Sequence, residues 1–358
     1  MNDIREQKLP LLLAASQYSS KAVSVFGYVG QLVPCPSNIK TIELAAGLKI
    51  LGMATSSLST DAVYALPEVG GVKMTRPSIL MQASMVRAAV KTLSGVDSLA
   101  AELKDVAFEG LQLAKSCAGE LRPEGWDSDA FCTNLANAAQ GKLGTAASQT
   151  EQARLKVVIE QFGRAGNKGG LQSHVYKHLV TQIPTPWRDL LHRRFSTLCP
   201  GIGPWPHTLE FDDQFAQITK KVGVSISMCL IKTWANAWST SERYHETIRH
   251  KCILGCNDKD ELRHYLVCPP FWAMLNSAAR APHYDWDVPP QVNLCLVGAS
   301  VDRVKRISVA FRCYHAMRLS HNTMVLAAQQ TNYFEDLHVL FLELARYFCS
   351  EVALYQVR

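Results

Sequence analysis

The sequence lacks an uninterrupted apolar run of about 18 residues, the length a bilayer-spanning helix needs. The short Leu11-Leu12-Leu13 run is broken by Gln17, Ser19, Ser20 and Lys21 and preceded by Asp3 and Glu6, which makes a poor secretory signal. The glycines between Gly163 and Gly170 have no Gly-Lys-Ser/Thr ending, so they are not a phosphate loop. No Gly-x-Ser-x-Gly elbow occurs, which removes the commonest sign of a serine hydrolase. No internal repeat or low-complexity tract is found, which argues against a solenoid or a disordered linker protein. Strand signals are few, and Gln291 to Val297 reads as an extended piece. Charged residues make up only 19% and apolar ones 47% of the 358 residues, a globular balance. The net charge of +6 permits nucleic acid as a partner without requiring it.

What the chain does have is helical periodicity. Ala22, Val25, Phe26 and Val29 recur at helical spacing, Pro34 and Pro36 end that element, and a second helix is expected from Ile39 to about Met53. Further helices are expected from Asp97 to about Cys117, Ser128 to about Ala147, from Thr150 up to Gly163, Leu171 to Gln182 and Trp187 to Phe195, with more continuing through Trp238. Val301 to Leu319 reads as a basic amphipathic helix, and Tyr333 to about Tyr355 as a largely apolar one that closes the core. The fold class is therefore mainly α with few short strands. The Gly-rich run 163–170 is the best linker. It suggests a helical domain over 1–120, a helical connector over 121–170 and a C-terminal helical domain over 171–358.

Basic residues cluster in two places. Gly71 to Gly95 holds Lys73, Arg76, Arg87 and Lys91 and no acid. Arg164 to Arg194 holds six Lys or Arg against one acid, Asp189. Either cluster reads as an ordinary solvated face or as a surface that tracks phosphates.

The most specific motif is Cys252-x3-Cys256-x7-His264-x3-Cys268. Three thiols and an imidazole within 17 residues are the donors of a closed tetrahedral zinc site. Asp258 and Glu261 read as the N-cap and capping-box partner of a helix carrying His264 and Cys268 on one face, stopped by Pro269 and Pro270. With 11 Cys and 11 His in the chain, the same spacing also fits a buried core cluster. The odd, scattered cysteines point to a reducing, intracellular compartment.

Three other motifs fail as active sites. Phe211-Asp212-Asp213 sits in a helical period with Phe215 and Ile218 and lacks a third carboxylate. His245 and His250 are five apart, one residue too many for a zinc-protease face. His174 and His178 share a face without a third ligand.

Ser24-Val25-Phe26-Gly27-Tyr28-Val29-Gly30-Gln31-Leu32, then Pro34 and Pro36, then Leu66-Pro67-Glu68-Val69-Gly70-Gly71, resembles the thumb that follows the palm in non-LTR (LINE-type) retrotransposon reverse transcriptases. Thr233 to His245, leading into the Cys/His motif with Trp272 behind it, and Tyr314-His315-Ala316-Met317-Arg318 are similar to the C-terminal region of the same polyproteins. Many family members carry four residues between the His and the last Cys, where this chain has three. In the family the fingers and palm, with their Tyr/Phe-x-Asp-Asp motif, precede the thumb; only about 20 residues precede the thumb-like run here.

The resemblance implies a non-catalytic C-terminal fragment of a reverse transcriptase, found in nucleus and cytoplasm, with structural Zn2+ at Cys252, Cys256, His264 and Cys268. Its partner would be element RNA or a DNA duplex, with no membrane and no small-molecule substrate. Phosphate contacts would come from Lys73, Arg76, Arg87, Lys91, Arg188, Arg193, Arg194, Arg303, Lys305, Arg306, Arg312 and Arg318. Ser241 to Pro270 carries five basic and five acidic residues, so the Cys/His unit is expected to staple the fold rather than grip nucleic acid. The alternative is a retroelement remnant that serves as a helical protein-interaction module.

Overall fold

The computed structural model describes residues 10–31, 35–94, 170–183, 187–199, 209–247, 250–279, 289–296, 298–327 and 333–352. The helices expected between Asp97 and Gly163, and all of the Gly-rich run but Gly170, lie outside them. The described residues are mainly helical and form no β-strand; one isolated antiparallel bridge joins Lys251 and Lys259. No helix among them is long and apolar enough to cross a membrane. The chain divides into two compact units, residues 1–50 with 74–184, and residues 51–73 with 185–358.

The first unit begins with α1 (Leu11–Gln17), a π-helical turn (Tyr18–Ala22) and α2 (Val23–Val29), with no break between them. Then come α3 (Ile39–Leu51), α5 (Pro77–Ser94) and α6 (Leu171–Thr181). α5 packs on both α2 and α6. Two glycines let α2 and α5 approach: a Cβ at Gly30 would lie 2.6 Å from the Met81 Cα, and one at Gly27 3.1 Å from Leu80 Cδ2. Glu43 of α3 is fully buried. Its carboxylate accepts from Arg76 Nε at 3.1 Å and from the Ser78 N–H at 2.6 Å, satisfying a free amide in the first turn of α5. Pro77 opens that helix with a φ already suited to it.

The second unit holds α4 (Thr60–Tyr64), a 3-10 turn (Leu66–Val69), α7 (Trp187–Leu198), α8 (Leu209–Val222), α9 (Val224–Trp234), α10 (Leu262–Tyr265), α11 (Pro269–Ala278), α12 (Pro290–Asn293), α13 (Val301–Ala327) and α14 (Tyr333–Glu351). α13 is its axis, packed by α8, α9, α12 and α14. Val304, Ile307, Val309, Ala310, Cys313, Tyr314 and Met317 are all buried, so apolar residues cover well over half of the helix circumference instead of lining one stripe. The basic amphipathic reading of this segment is corrected accordingly. Gln291–Val297, expected to be extended, instead begins within α12. Phe211-Asp212-Asp213 lies within α8, as its period implied.

The 3-10 turn docks on α8 and ends at Gly70, whose φ is +72°. A Cβ there would fall 2.3 Å from Thr219, so both the left-handed backbone and the contact require glycine. Beneath the Cys/His segment Trp238, Tyr265, Phe271 and Tyr314 form one aromatic cluster, with Trp238 and Tyr265 stacked at 5.9 Å and Trp238 and Tyr314 at 4.7 Å. Each of these rings is at most 1% exposed, and burying a side chain of this size contributes about 2–3 kcal/mol.

Candidate metal centre

The loop from His250 to Glu261 doubles back on itself. Asp260 N–H donates to His250 O at 3.1 Å and Cys252 N–H to Asp258 O at 2.9 Å, which fixes the ends of the turn. Gly255, at φ +84°, lets its N–H reach Cys252 O and swings Cys256 back towards Cys252. α10 then presents His264, and Cys268 stands three residues beyond the helix's last residue, Tyr265.

Cys252, Cys256, His264 and Cys268 form a group that could hold a metal ion: one donor atom from each lies within 4.8 Å of all the others. Cys268 Sγ is 3.9 Å from Cys252 Sγ and 3.6 Å from Cys256 Sγ, far beyond a disulfide bond length. The His264 ring is split in function. Nδ1 lies 3.2 Å from the exposed Asp258 carboxylate, and Nε2 is buried without a hydrogen-bond partner. An imidazole fixed by a carboxylate on one nitrogen, with the other nitrogen left over, is the usual arrangement of a metal-bound histidine.

The centre is electrostatically polarised. A proton shared with Cys268 brings the Cys252 thiol down to about 4 against the opposing effect of burial, with His264 and the Leu254 amide adding to the shift. The same interaction, with burial, raises Cys268. Burial, and then the Cys252 charge, raise Cys256. For His264 burial opposes the charged ring, but Cys252, Asp258 and Glu261 together outweigh it and raise its affinity for a proton.

The local structure differs from the sequence expectation. α10 is a single turn capped by Glu261 without a side-chain hydrogen bond, so Asp258 is not an N-cap. Its carboxylate meets His264 instead. Cys268 is not on the same helix as His264; it is the N-cap residue of α11. Pro269 and Pro270 start a helix instead of stopping one, because their fixed φ and missing N–H cost nothing in a first turn.

Behind the centre lies Asp260, which spacing analysis did not single out. Its fully buried carboxylate accepts from the Ser241 N–H at 2.7 Å and the hydroxyls of Tyr265 at 2.8 Å and Tyr314 at 3.1 Å. Arg318 Nη1 stands 3.8 Å away, while its Nη2 donates to both carboxylate oxygens of Glu246 at 2.8 and 2.9 Å. The loop is thereby tied to the middle of α13.

The twelve cations expected to meet phosphates have diverse placements. Arg76, Arg306 and Arg318 are buried and committed inside the protein, so they are withdrawn as surface contacts. Arg76 pairs with Glu43, Arg318 with Glu246, and Arg306 lies 4.6 Å over the Trp272 ring. Arg312 pairs with Glu351 at 2.9 Å, Arg87 bonds Gln172 at 3.1 Å, and Arg303 bonds Gly298 O. Lys305 is half-buried. Lys73 and Arg193 are exposed, and Arg194 is half-buried. Lys91 is in α5 and Arg188 in α7, with side chains outside the described residues. Compared with family models, curated protein sequences and solved structures, this chain matches none.

Proposed function

We propose that this chain is a mainly helical, non-catalytic nucleic-acid-binding module whose C-terminal unit is stapled by a structural zinc ion, similar in kind to the thumb and Cys/His region of LINE-type reverse transcriptases. The observation that carries the zinc assignment is the sulfur spacing at Cys268. A tetrahedron with Zn–S bonds of about 2.3 Å has an S···S edge of about 3.8 Å. The two separations in the structure are 3.9 and 3.6 Å. Cys3His supplies four protein donors and leaves no open coordination position, which favours a structural over a catalytic role. The nucleic-acid part of the reading rests on the resemblance and on the cations, such as Lys73 and Arg193, that stay at the surface.

Two measurements test it. Protein purified without added zinc should contain one zinc per chain. Duplex DNA or RNA should bind at low salt and weaken steeply as salt rises. Absence of salt-sensitive binding would overturn the nucleic-acid reading, and incorporation on a primed template would overturn the non-catalytic one. A second reading, a helical protein-interaction module without nucleic acid, is favoured by the burial of Arg76, Arg306 and Arg318, which thins the surface charge.

A further inference from the structure

Three arginines converge on one turn of the second unit. α7 presents Leu190, Arg193, Arg194 and Thr197, at i, i+3, i+4 and i+7, to a cleft whose opposite wall is Ser56-Ser57-Leu58-Ser59. Arg243, far away in sequence, reaches the same wall. Its Nη2 donates to Ser56 Oγ at 2.9 Å and Ser57 Oγ at 3.3 Å, while its Nε is anchored on Asn236 O at 2.9 Å. Arg194 Nη2 lies 3.5 Å from Ser57 O, and Arg193 Nε 3.4 Å from Asp189 O.

No carboxylate lines this cleft, and none of the three guanidiniums makes an ion pair among the described residues. Arg76, Arg312 and Arg318 are each matched to an acid. Burial, then Arg243, then Arg193, lower the proton affinity of Arg194, so the crowding is repulsive in the free protein. The hydroxyls are arranged to help an anion. Ser56 and Ser57 accept from Arg243, which leaves each hydroxyl proton to be donated elsewhere, and Ser56 is exposed.

We infer that the cleft between the Ser56–Ser59 turn and α7 binds a phosphate group, with Arg193 and Arg194 as the contacting cations, Ser56 as a hydroxyl donor, and Arg243 as the positioning residue that holds the serine wall. The guanidinium fork suits phosphate oxygens, and a bound anion relieves the repulsion among the three arginines. The inference deepens the nucleic-acid reading by naming where a strand's phosphate would sit. It does not require that reading, because a free phosphorylated molecule has the same chemistry.

Isothermal titration of the full chain separates the cases. The probes are inorganic phosphate, a mononucleotide and a short duplex oligonucleotide; the variants are Arg193→Ala, Arg194→Ala, Arg193→Lys and Ser56→Ala. Lys220→Ala, on an exposed turn of α8 remote from the cleft in sequence, is the control, and melting curves confirm that each variant folds. Losing either arginine should weaken phosphate and oligonucleotide binding about tenfold, Arg193→Lys by less, and Lys220→Ala not at all. Oligonucleotide binding that is indifferent to both arginines would overturn the cleft and leave the nucleic-acid reading standing. Arginine-dependent binding of phosphate or mononucleotide alone would support the cleft and overturn the nucleic-acid reading. If no probe binds, both fall.

Discussion

The Tyr265 hydroxyl donates to the Asp260 carboxylate at 2.8 Å and accepts from the Ile253 N–H at 3.1 Å. One side chain therefore ties the loop between the first two cysteines to the buried acid beneath it. Tyr265 directly follows His264, so the same contact also sets where α10 presents the imidazole. The Cys/His loop is held from below even before any ion binds. Tyr265→Phe should cost about 1–2 kcal/mol in chemical denaturation, because it leaves the Ile253 amide without its acceptor. Asp260→Ala should cost more, about 3 kcal/mol, since two tyrosine hydroxyls and the Ser241 amide lose their acceptor and Arg318 a nearby countercharge. A variant as stable as the parent would show that the hub is dispensable.

Metal removal should act on the second unit. Structural zinc contributes its binding free energy to folding, so chelation or Cys256→Ser should cost about 4 kcal/mol, roughly 10 °C of Tm for a unit of this size. Elemental analysis should fall from one zinc per chain towards none. Cys35→Ser is the informative control. Cys35 lies outside the cluster, and burial and then Glu43 push its thiol up to about 11. That variant should keep its zinc. Unchanged zinc content and unchanged melting in Cys256→Ser would refute the assignment.

Much of this was legible in sequence, and the reasons for the exceptions are specific. The prolines at 184, 186 and 200 bracketed α6 and α7, and a largely apolar segment marked α14, each within a few residues of the observed bounds. Spacing pointed to the Cys252, Cys256, His264 and Cys268 cluster, which the fold does bring together, because all four donors fall in one short segment. The destinations of the arginines were not. Arg76 meets a glutamate 33 residues away, Arg318 one 72 residues away, and Arg243 a serine 187 residues away. Local charge counting treats all three alike, whereas burial beside a distant acid separates them. The proline pair was misread for a related reason. Its effect depends on whether the chain before or after it is helical, and that was decided by the docking of Phe271 and Trp272 in the core.

Asp258 should tune the metal without holding the fold. Its side chain is 75% exposed, yet it fixes His264 Nδ1 and so leaves Nε2 as the donor. Asp258→Ala should weaken zinc affinity about 10–100-fold in a competition titration with a chelating dye. The zinc-saturated variant should melt within about 2 °C of the parent. Equal affinity in the two proteins would mean that the carboxylate does not orient the ring.

His315 gives the protein an acid-sensitive joint away from the cysteines. Its ring packs 4.2 Å from Phe311, Nδ1 meets Ser239 Oγ at 3.1 Å, and Nε2 is buried without a partner. Burial, and then the Lys232 charge, bring its pKa down to about 4. An unfolded histidine titrates near 6.5, so between those values the unfolded chain binds a proton that the folded one refuses. The associated stability is complete above about pH 6.5 and is lost as pH falls towards 4. At pH 5 the loss should reach about 2 kcal/mol relative to pH 7.5. Carboxylates and metal ligands also titrate in this range, so the decisive quantity is the difference between parent and His315→Gln. Urea denaturation at pH 7.5, 6, 5 and 4.5 should show the parent losing stability faster than the variant by that amount. Parallel curves would mean that His315 takes up its proton freely in the folded state, and that the Lys232 side of the pocket is open to water.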